Sequence, residues 1–382
     1  VRVEGEVALE VHVGADGAGE LGHLVTGVGV AGDHGPRRSP GDAADHPQAL
    51  AHLAGGADHP AEAILHPAQA AHHPIQAGIL RPLLEAVVDV TVERFDENPL
   101  ITPAADDRIG TNINGPSVIR VPEWIDTPLG RYYLYFAHHG GKYIRLAYAD
   151  ELRGPWTVYS PGTLQLSETR FTDHIASPDV HVDHATEQIR LYFHGCCGPF
   201  NHAAGPFDQV TDVATAPDGI DFTSTGRTLG NSYFRVWEYD DVYYAIANDG
   251  CLYRGDDPLA PFERLHELFP TNRHFAIRFL DPDTLQVFLT RRGDRPERIQ
   301  VALIDLSRPV TEWRADPHPP ETVLWPERTY EGGSHPLKAS ERGLVNEPVR
   351  ALRDPAVFEE DGNTYLFYAI AGEQGIAGAE LH

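Results

Sequence analysis

The sequence predicts an all-β fold over residues 95–382, and three observations support this prediction. All 15 Tyr, 15 Phe and 5 Trp residues lie at or after Phe95. From that point, short runs of β-branched and aromatic residues alternate with turns of Gly, Pro, Asp and Asn. Long stretches with helical periodicity are missing, so a sandwich, a barrel or a propeller is expected.

A weak internal repeat favours the propeller among these three architectures. A strand rich in aromatic residues recurs about every 40 to 80 residues, a loose period that suits propeller blades with loops of variable length. Another strand precedes each of them, often across an acidic or glycine-containing turn. The five predicted hairpins pair Pro116–Ile119 with Tyr132–Phe136, Pro178–His181 with Ile189–Phe193, Tyr233–Val236 with Val242–Ile246, Phe275–Arg278 with Leu285–Leu289, and Pro355–Phe358 with Thr364–Tyr368. Five such units predict a five-bladed β-propeller.

The remaining strands of each unit predict how the ring closes. Third strands follow, as in Ile144–Ala149 and Ile299–Ile304, and Trp156 and Trp313 end two units, where we expect them to pack between blades. The last unit stops after its third strand, residues 375–381. Because an unpaired strand edge promotes association, the missing outer strand is expected to come from residues 98–101 at the start of the domain.

Residues 1–94 differ from the rest in composition. They contain no Phe, Tyr, Trp, Cys, Asn or Lys, so they have little large apolar area to bury. Nine His residues lie in this segment. Three readings stay open: translation from too early a start, a disordered tail, and a metal-binding tract. The expected organisation is an extension without a fold at 1–94 and the propeller at 95–382.

Charge and composition limit the classes of partner that the chain can have. A net charge of −26 makes nucleic acid and anionic membrane surfaces poor partners. No apolar run approaches the roughly 18 residues of a membrane span. The first residues carry Glu4, Glu6 and Glu10 without a long apolar core, so no secretory signal and a cytoplasmic location are expected. Three cysteines give no disulfide framework. The oligomeric state stays open.

The last unit, Leu352–Tyr368, opens with Asp354-Pro355, turns at Asp361-Gly362 and continues with a Tyr365-Leu366 strand. In these features it resembles the five-bladed propeller glycoside hydrolases, which include arabinanases, β-xylosidases and fructosidases, as a divergent member. The resemblance covers about residues 95–382. It implies a glycosidase that acts in carbohydrate metabolism.

Three units depart from that pattern. In the arabinanase-like families the first blade opens with a catalytic Asp before its Pro, and here that place holds Asn114-Gly115-Pro116. The second blade has its acid after the Pro, as Pro178-Asp179, and the third lacks the expected Glu near Tyr233. The carboxylate triad of the family therefore cannot be transferred intact.

Glycoside hydrolysis needs two carboxyl groups across the scissile bond. Asp354 is the first candidate, with a turn-forming role as the alternative. Asp179 is the second, although one residue of register decides where it points. Glu347 and Glu331 lie on the long loop before the last blade, where an exposed structural role is the alternative.

A second group of candidates is basic. His138, His139, His174 and His194 lie near strand starts and ends, where an imidazole can act as acid or base; propeller hydrolases of anhydro-galactose units, which use a His acid, give a precedent. His174 is the candidate for a catalytic role. Substrate contacts are expected from Asn114, His138, His139, His194, Arg235, His274 and Arg353. Together with Arg145 and Arg350, the arginines would suit a carboxylated or sulfated sugar. Structural hydrogen bonds and surface ion pairs are the alternatives.

The leading hypothesis is hydrolysis of a glycosidic bond in a carbohydrate, such as an anionic or anhydro sugar. Inversion is favoured because an open funnel leaves room for water between separated carboxylates. The alternatives are a non-catalytic carbohydrate-binding propeller and a glycoside phosphorylase in which Arg and His bind phosphate. No cofactor or catalytic metal is expected, and a structural metal in the central channel stays open.

Overall fold

The computed structural model describes residues 90–198, 209–248 and 250–382, and these ranges fold into five antiparallel sheets. The prediction that the N-terminal extension has no fold concerns residues that, up to residue 89, lie outside the described ranges. β1 (Val92–Arg94) precedes the first blade, which contains β2 (Asn114–Arg120), β3 (Tyr132–Ala137), β4 (Arg145–Ala149) and β5 (Thr157–Tyr159). The second blade contains β6 (Ile175–Asp183), β7 (Gln188–Cys196), β8 (Gln209–Ala216), β9 (Thr223–Ser224) and β10 (Gly230–Asn231).

The third blade contains β11 (Arg235–Tyr239), β12 (Val242–Ile246), β13 (Cys251–Gly255) and β14 (Glu263–Glu267). The fourth contains β15 (Asn272–Asp281), β16 (Thr284–Arg291), β17 (Ile299–Asp305) and β18 (Asp316–Leu324), and the fifth contains β19 (Arg353–Glu360), β20 (Asn363–Ala369) and β21 (Ile376–Leu381). Within each blade, neighbouring strands follow one another along the chain, except that β9 and β10 of the second blade both pair with β8. The five-bladed propeller and its five hairpins are therefore confirmed.

Helical structure in the described ranges is limited to single 3-10 turns at Pro103–Ala105, Asp107–Ile109, Leu166–Glu168, Val310–Glu312 and Thr329–Glu331. None of the helices described in these ranges has the length and apolar character that crossing a membrane requires.

Hydrophobic clusters fill the interfaces between neighbouring blades. The cluster between the first two blades, for example, joins Tyr133 and Ile144 to Ile189 and Phe193. Every residue of β3 is buried, because blades pack on both faces of this strand. Trp313 packs on Tyr244 of the preceding blade, with ring centroids 4.8 Å apart, as predicted.

The ring closes through the N-terminal side of the domain, but by a different segment from the one predicted. β1 pairs antiparallel with β21, with Val92 opposite Leu381 and Arg94 opposite Ala379. The predicted segment 98–101 contacts β21 without forming a strand ladder: Ile101 makes an isolated bridge to Ile376, and the Asn98 side chain exchanges two hydrogen bonds with the backbone of Gly378. Pro99 lies inside this segment and has no N–H to donate, so a regular ladder cannot pass through it.

A buried ion pair holds β1 in place. Both donors of the Arg94 fork reach Glu331, Nε at 2.7 Å and Nη2 at 3.1 Å. The Glu331 carboxylate is fully buried and also accepts hydrogen bonds from the backbone N–H of Arg328 and from the Tyr368 hydroxyl. Glu331, a candidate for catalysis, therefore serves ring closure.

We expect truncation to separate β1 from the segment before it. A chain that begins at Val90 keeps β1 and should match the full chain in thermal midpoint and solubility. A chain that begins at Asp96 lacks β1, leaves the β21 edge unpaired, and should associate. Size-exclusion chromatography and thermal unfolding measure both. A monomeric, equally stable chain from Asp96 would show that β1 is not the closing strand.

Candidate active site

A pocket at one end of the central channel receives one side chain from each blade. Its lining includes Asn114, Ser177, Tyr233, His274 and Asp354. In four blades the residue at this place has a left-handed backbone, with φ of +53° at Ser177, +67° at Tyr233, +56° at His274 and +47° at Asp354. In the first blade Gly115, next to Asn114, takes it with φ of +62°.

These left-handed residues lie at equivalent places in the blades. In the first, second, fourth and fifth blades, the pairing of the innermost strand with the next one shifts register there, for example between Arg353 and Ala356. Such a bulge re-aims the side chain. A left-handed backbone at a non-glycine residue costs on the order of 1–3 kcal/mol and tends to be kept at functional sites. Four such residues around one pocket mark it as the candidate site.

Asp354 meets the geometric condition for a catalytic carboxyl group. Its side chain is buried, and Oδ1 accepts a hydrogen bond of 2.8 Å from the Tyr233 hydroxyl. Nε2 of His274 lies 3.8 Å from the same oxygen. Burial, reinforced by the charge of Glu373, raises the pKa of Asp354 to about 6.

Contacts with Thr290 and Glu297 determine which nitrogen of His274 carries the proton. The Thr290 hydroxyl lies 2.8 Å from Glu297 Oε1 and 3.1 Å from His274 Nδ1. Because the single hydroxyl proton goes to the carboxylate, we assign the proton of His274 to Nδ1, which leaves Nε2 as an acceptor facing Asp354. Burial, and next the charge of Arg273, hold the pKa of His274 well below its usual range, so the ring is neutral.

An aromatic row continues from His274 into the second blade. The ring of Tyr233 lies between those of His274 and His194, with centroids 5.3 Å and 6.3 Å away. His194 lines the pocket, and its Nδ1 has no hydrogen-bond partner among the described residues. His174 lies behind it, outside the pocket lining, with Nδ1 2.7 Å from Asp173 and Nε2 3.2 Å from the Gln209 amide.

A carboxylate outside the predicted set also lines the pocket. Glu373, in the turn between β20 and β21, accepts a hydrogen bond of 2.8 Å from Arg353 Nη1 and one of 2.6 Å from Asn112 Nδ2. Its Oε1 lies 3.3 Å from His139 Nδ1. Against the opposing effect of burial, His139, Arg353 and Asn112 hold the pKa of Glu373 at about 2. The pocket therefore contains one carboxyl group poised near pH 6 and one that stays ionised.

A second unselected carboxylate braces the pocket from behind. Glu297 is fully buried and receives both Nε and Nη2 of Arg273, at 2.9 and 2.8 Å. Arg353 Nε donates to Oε2, the oxygen that also accepts from Arg273 Nη2, at 2.8 Å. Despite the burial, these two arginines lower the pKa of Glu297. Arg353 is thus a buried bridge between Glu297 and Glu373 and does not line the pocket.

Two predicted site residues lie in a separate cavity of the channel. Asp179 and Arg235 line this second cavity, away from Asp354. Asp179 accepts hydrogen bonds of 2.9 Å from His181 Nε2 and from Val236 N. Arg235 donates to the carbonyls of Phe275 and Phe234 and stacks on the Tyr233 ring. The physical reason is register: Asp179 is two residues beyond left-handed Ser177, so it belongs to the next ring of side chains along the channel.

Other predicted residues also lie outside the pocket lining. Glu347 is exposed on the loop between β18 and β19. His138 accepts a hydrogen bond of 2.9 Å from Gly140 N at its own strand end. Arg145 donates to the carbonyls of Asn112 and Ala137, and Arg350 to that of Pro326. Of the predicted set, the pocket brings together Asn114, His139, His194, His274 and Asp354.

No group of three or more His, Cys, Asp or Glu side chains in the described ranges is arranged to hold a metal ion.

Comparison with known proteins adds two structures that share the fold. A glycosyl hydrolase from Bacteroides ovatus is 11% identical, with a TM-score of 0.55, over 76% of this chain and 93% of that one. A structure from work on the GH130 family of mannoside phosphorylases, which contains glycoside hydrolases that target β-1,2 mannosidic linkages, is 13% identical with a TM-score of 0.54 over the same shares. At these identities the likeness is one of fold.

Sequence comparison gives a closer relationship. No protein-family model matches the sequence. An uncharacterized protein of Acanthamoeba polyphaga mimivirus is 35% identical over 332 residues, which cover 77% of this chain and 91% of the viral protein. The chain therefore belongs to the same family as this mimivirus protein, with the five-bladed β-propeller as its fold.

Proposed function

We propose that the chain hydrolyses a glycosidic bond of a carbohydrate, with Asp354 as the general acid. The observation that carries this proposal is one pocket that holds Asp354, with its pKa raised to about 6, together with His139 backed by Glu373, whose pKa is about 2 and whose Oε1 lies 3.3 Å from His139 Nδ1. Environments that separate two carboxyl pKa values in this way are typical of acid and base assignments. Asp354 holds its proton below about pH 6 and can give it to the leaving oxygen.

The partner of Asp354 in this proposal is His139. Glu373 lies at its Nδ1, which leaves Nε2 as the nitrogen that accepts a proton. A water molecule attacks the anomeric carbon and loses a proton to Nε2 of His139. At the same time the bond from the anomeric carbon to the leaving oxygen breaks, and that oxygen takes the proton of Asp354. Attack by water opposite the leaving group inverts the anomeric configuration.

The fold gives independent support, since a structure that shares it is a glycosyl hydrolase. A role in carbohydrate metabolism and a cytoplasmic location stay predictions. A non-catalytic carbohydrate-binding propeller is the alternative, because the first blade has Asn114 where the arabinanase-like families have an acid.

We expect turnover in a screen of neutral and acidic oligosaccharides, with kcat/KM falling as pH rises through about 6. The sign follows from the role of Asp354, which must be protonated to act as the acid, and kcat/KM reports pKa values of the free enzyme. Chromatography of the products, and NMR of the first-formed anomer, measure rate and stereochemistry. Oligosaccharide binding without turnover at any pH would contradict hydrolysis and favour the binding alternative.

A further inference from the structure

Two arginines at the mouth of the pocket have no partner for their charge. Arg292 directly follows β16, and Arg342 lies on the loop between β18 and β19; both line the pocket that contains Asp354. Among the described residues, neither guanidinium forms an ion pair or a side-chain hydrogen bond. Both side chains are exposed at this edge, so their donors are free to meet a molecule in the pocket.

The other arginines near the site are already satisfied. Arg273 also lines the pocket, but its fork binds Glu297, and its Nη2 donates further to the carbonyl of Glu341 at 3.1 Å. Arg353 bridges Glu297 and Glu373. The guanidinium groups of the pocket lining that are free to bind a molecule there therefore belong to Arg292 and Arg342.

The local field at this edge of the pocket is positive. Burial, and then the charges of Arg273 and Arg342, lower the pKa of Arg292, so these cations repel one another. Of the carboxyl groups within the same pocket, Glu373 is already bound to Arg353 and His139, and Asp354 carries no charge below about pH 6. An anion between the two free guanidinium groups would remove the repulsion and accept charge-assisted hydrogen bonds.

We propose that Arg292 and Arg342 form an oxyanion subsite beside the reacting bond. Its ligand is a carboxylate or sulfate group on the sugar, or a free phosphate ion. With phosphate, an oxygen of the ion replaces water in attacking the anomeric carbon, the glycosidic bond breaks, and the product is a sugar phosphate. The inference rests on the proposed function for the sugar, but anion binding is measurable without turnover.

The binding test uses the full chain with inorganic sulfate and inorganic phosphate as probes. Both should raise the thermal midpoint above that in chloride at equal ionic strength, and calorimetry should give their affinities. Arg292→Gln and Arg342→Gln should each weaken binding by at least about tenfold, the usual scale for one charged hydrogen-bond donor. Arg292→Lys, which keeps the charge but loses the fork, should fall between.

Arg291→Gln is the matched control. Arg291 is exposed like Arg292 and Arg342, but it lies outside the pocket lining and has Asp294 3.9 Å away. Its replacement should leave anion binding unchanged. Anion binding that is equal in all variants, or absent in the unmodified chain, would overturn the subsite.

Turnover then distinguishes the two sources of the oxyanion. Selective cleavage of oligogalacturonides over neutral galacto-oligosaccharides, lost in Arg292→Gln, assigns the anion to the sugar. Phosphate-dependent formation of a sugar phosphate, lost in the same variant, assigns it to free phosphate. Anion binding at the two arginines without turnover of any sugar supports the subsite and counts against hydrolysis. If neutral sugars are turned over equally by the unmodified chain, Arg292→Gln and Arg342→Gln, and no anion binds, hydrolysis is supported and the subsite is wrong.

Discussion

Replacing Asp354 by Asn should lower turnover by at least about a hundredfold, the lower scale for loss of an acid–base group. The amide keeps the shape, and its oxygen can still accept the hydrogen bond of the Tyr233 hydroxyl. What it cannot do is give a proton to the leaving oxygen. The fall of kcat/KM through about pH 6 should disappear with it, because the titrating group is gone.

The same substitution should make the folded chain more stable at neutral pH. Asp354 has its pKa raised in the folded state to about 6 from 3.8, so the folded chain binds more protons than the unfolded chain between these values. Stability therefore falls as pH rises through this window, and above it the ionised carboxylate costs up to about 3 kcal/mol. Asn removes this cost and should raise the stability. If the carboxylate served only to stabilise a turn, the same substitution would lower the stability.

Asp361→Asn is the matched control for both measurements. Asp361 belongs to the same blade and also has a left-handed backbone, with φ of +53°, but it is exposed and lies outside the pocket lining. Its replacement should change neither turnover nor its pH dependence. If Asp354→Asn lowers stability while turnover per folded molecule persists, the carboxylate has a structural role and the catalytic assignment is wrong.

Replacing Glu297 by Gln should lower the free energy of unfolding by about 3–5 kcal/mol, the cost of removing one partner from a buried ion pair. The change leaves the buried guanidinium of Arg273 without a counter-charge and removes one of the two carboxylates bound by Arg353. In a domain of this size the thermal midpoint should fall by on the order of 10 °C. Chemical unfolding of the two chains measures the difference.

The pH dependence of that difference has a definite sign. The pKa of Glu297 is lowered in the folded chain, so its contribution is fully present above the unfolded value of 4.5 and is lost as pH falls through the folded value. The two chains should therefore converge in strong acid. Glu321→Gln, at an exposed position on β18 of the same blade, should stay within about 0.5 kcal/mol. An equally small effect at Glu297 would show that the buried network is not needed for stability.

The fold could be predicted because its signal is local. Aromatic and β-branched runs separated by turns predict hairpins, and hairpins such as Pro355–Phe358 with Thr364–Tyr368 recur. That the last blade lacks an outer strand followed from the same reading. The segment that supplies this strand could not be predicted in the same way, because Val92–Arg94 and residues 98–101 both have sequences that favour extended backbone. The difference between them is Pro99, which has no N–H to donate to a strand ladder.

The site was predictable only where it lies on strands of the repeat. Asp354 and His274 follow from their place at the start of innermost strands. Glu373, Glu297 and Arg342 lie in turns and loops, and contacts from distant parts of the chain bring them to the pocket. One unused signal was in the sequence: a polar residue or Gly directly before Pro, at Gly115, Ser177 and Asp354, marks the left-handed position and would have shown that Asp179 is not equivalent to Asp354.

The closure of the ring by β1 also orders events in time. A ribosome makes β1 before any blade, yet the strand that β1 pairs with ends at Leu381. The contacts that hold the junction join residues far apart in the chain, 237 positions for Arg94 and Glu331 and 280 for Asn98 and Gly378. The first four blades contain hairpins of local contacts and can form while synthesis continues, whereas contacts of such long range form late. During translation β1 therefore stays unpaired until β21 has been made. The pocket needs Asp354 and Glu373 from the fifth blade, so it is also completed at that stage.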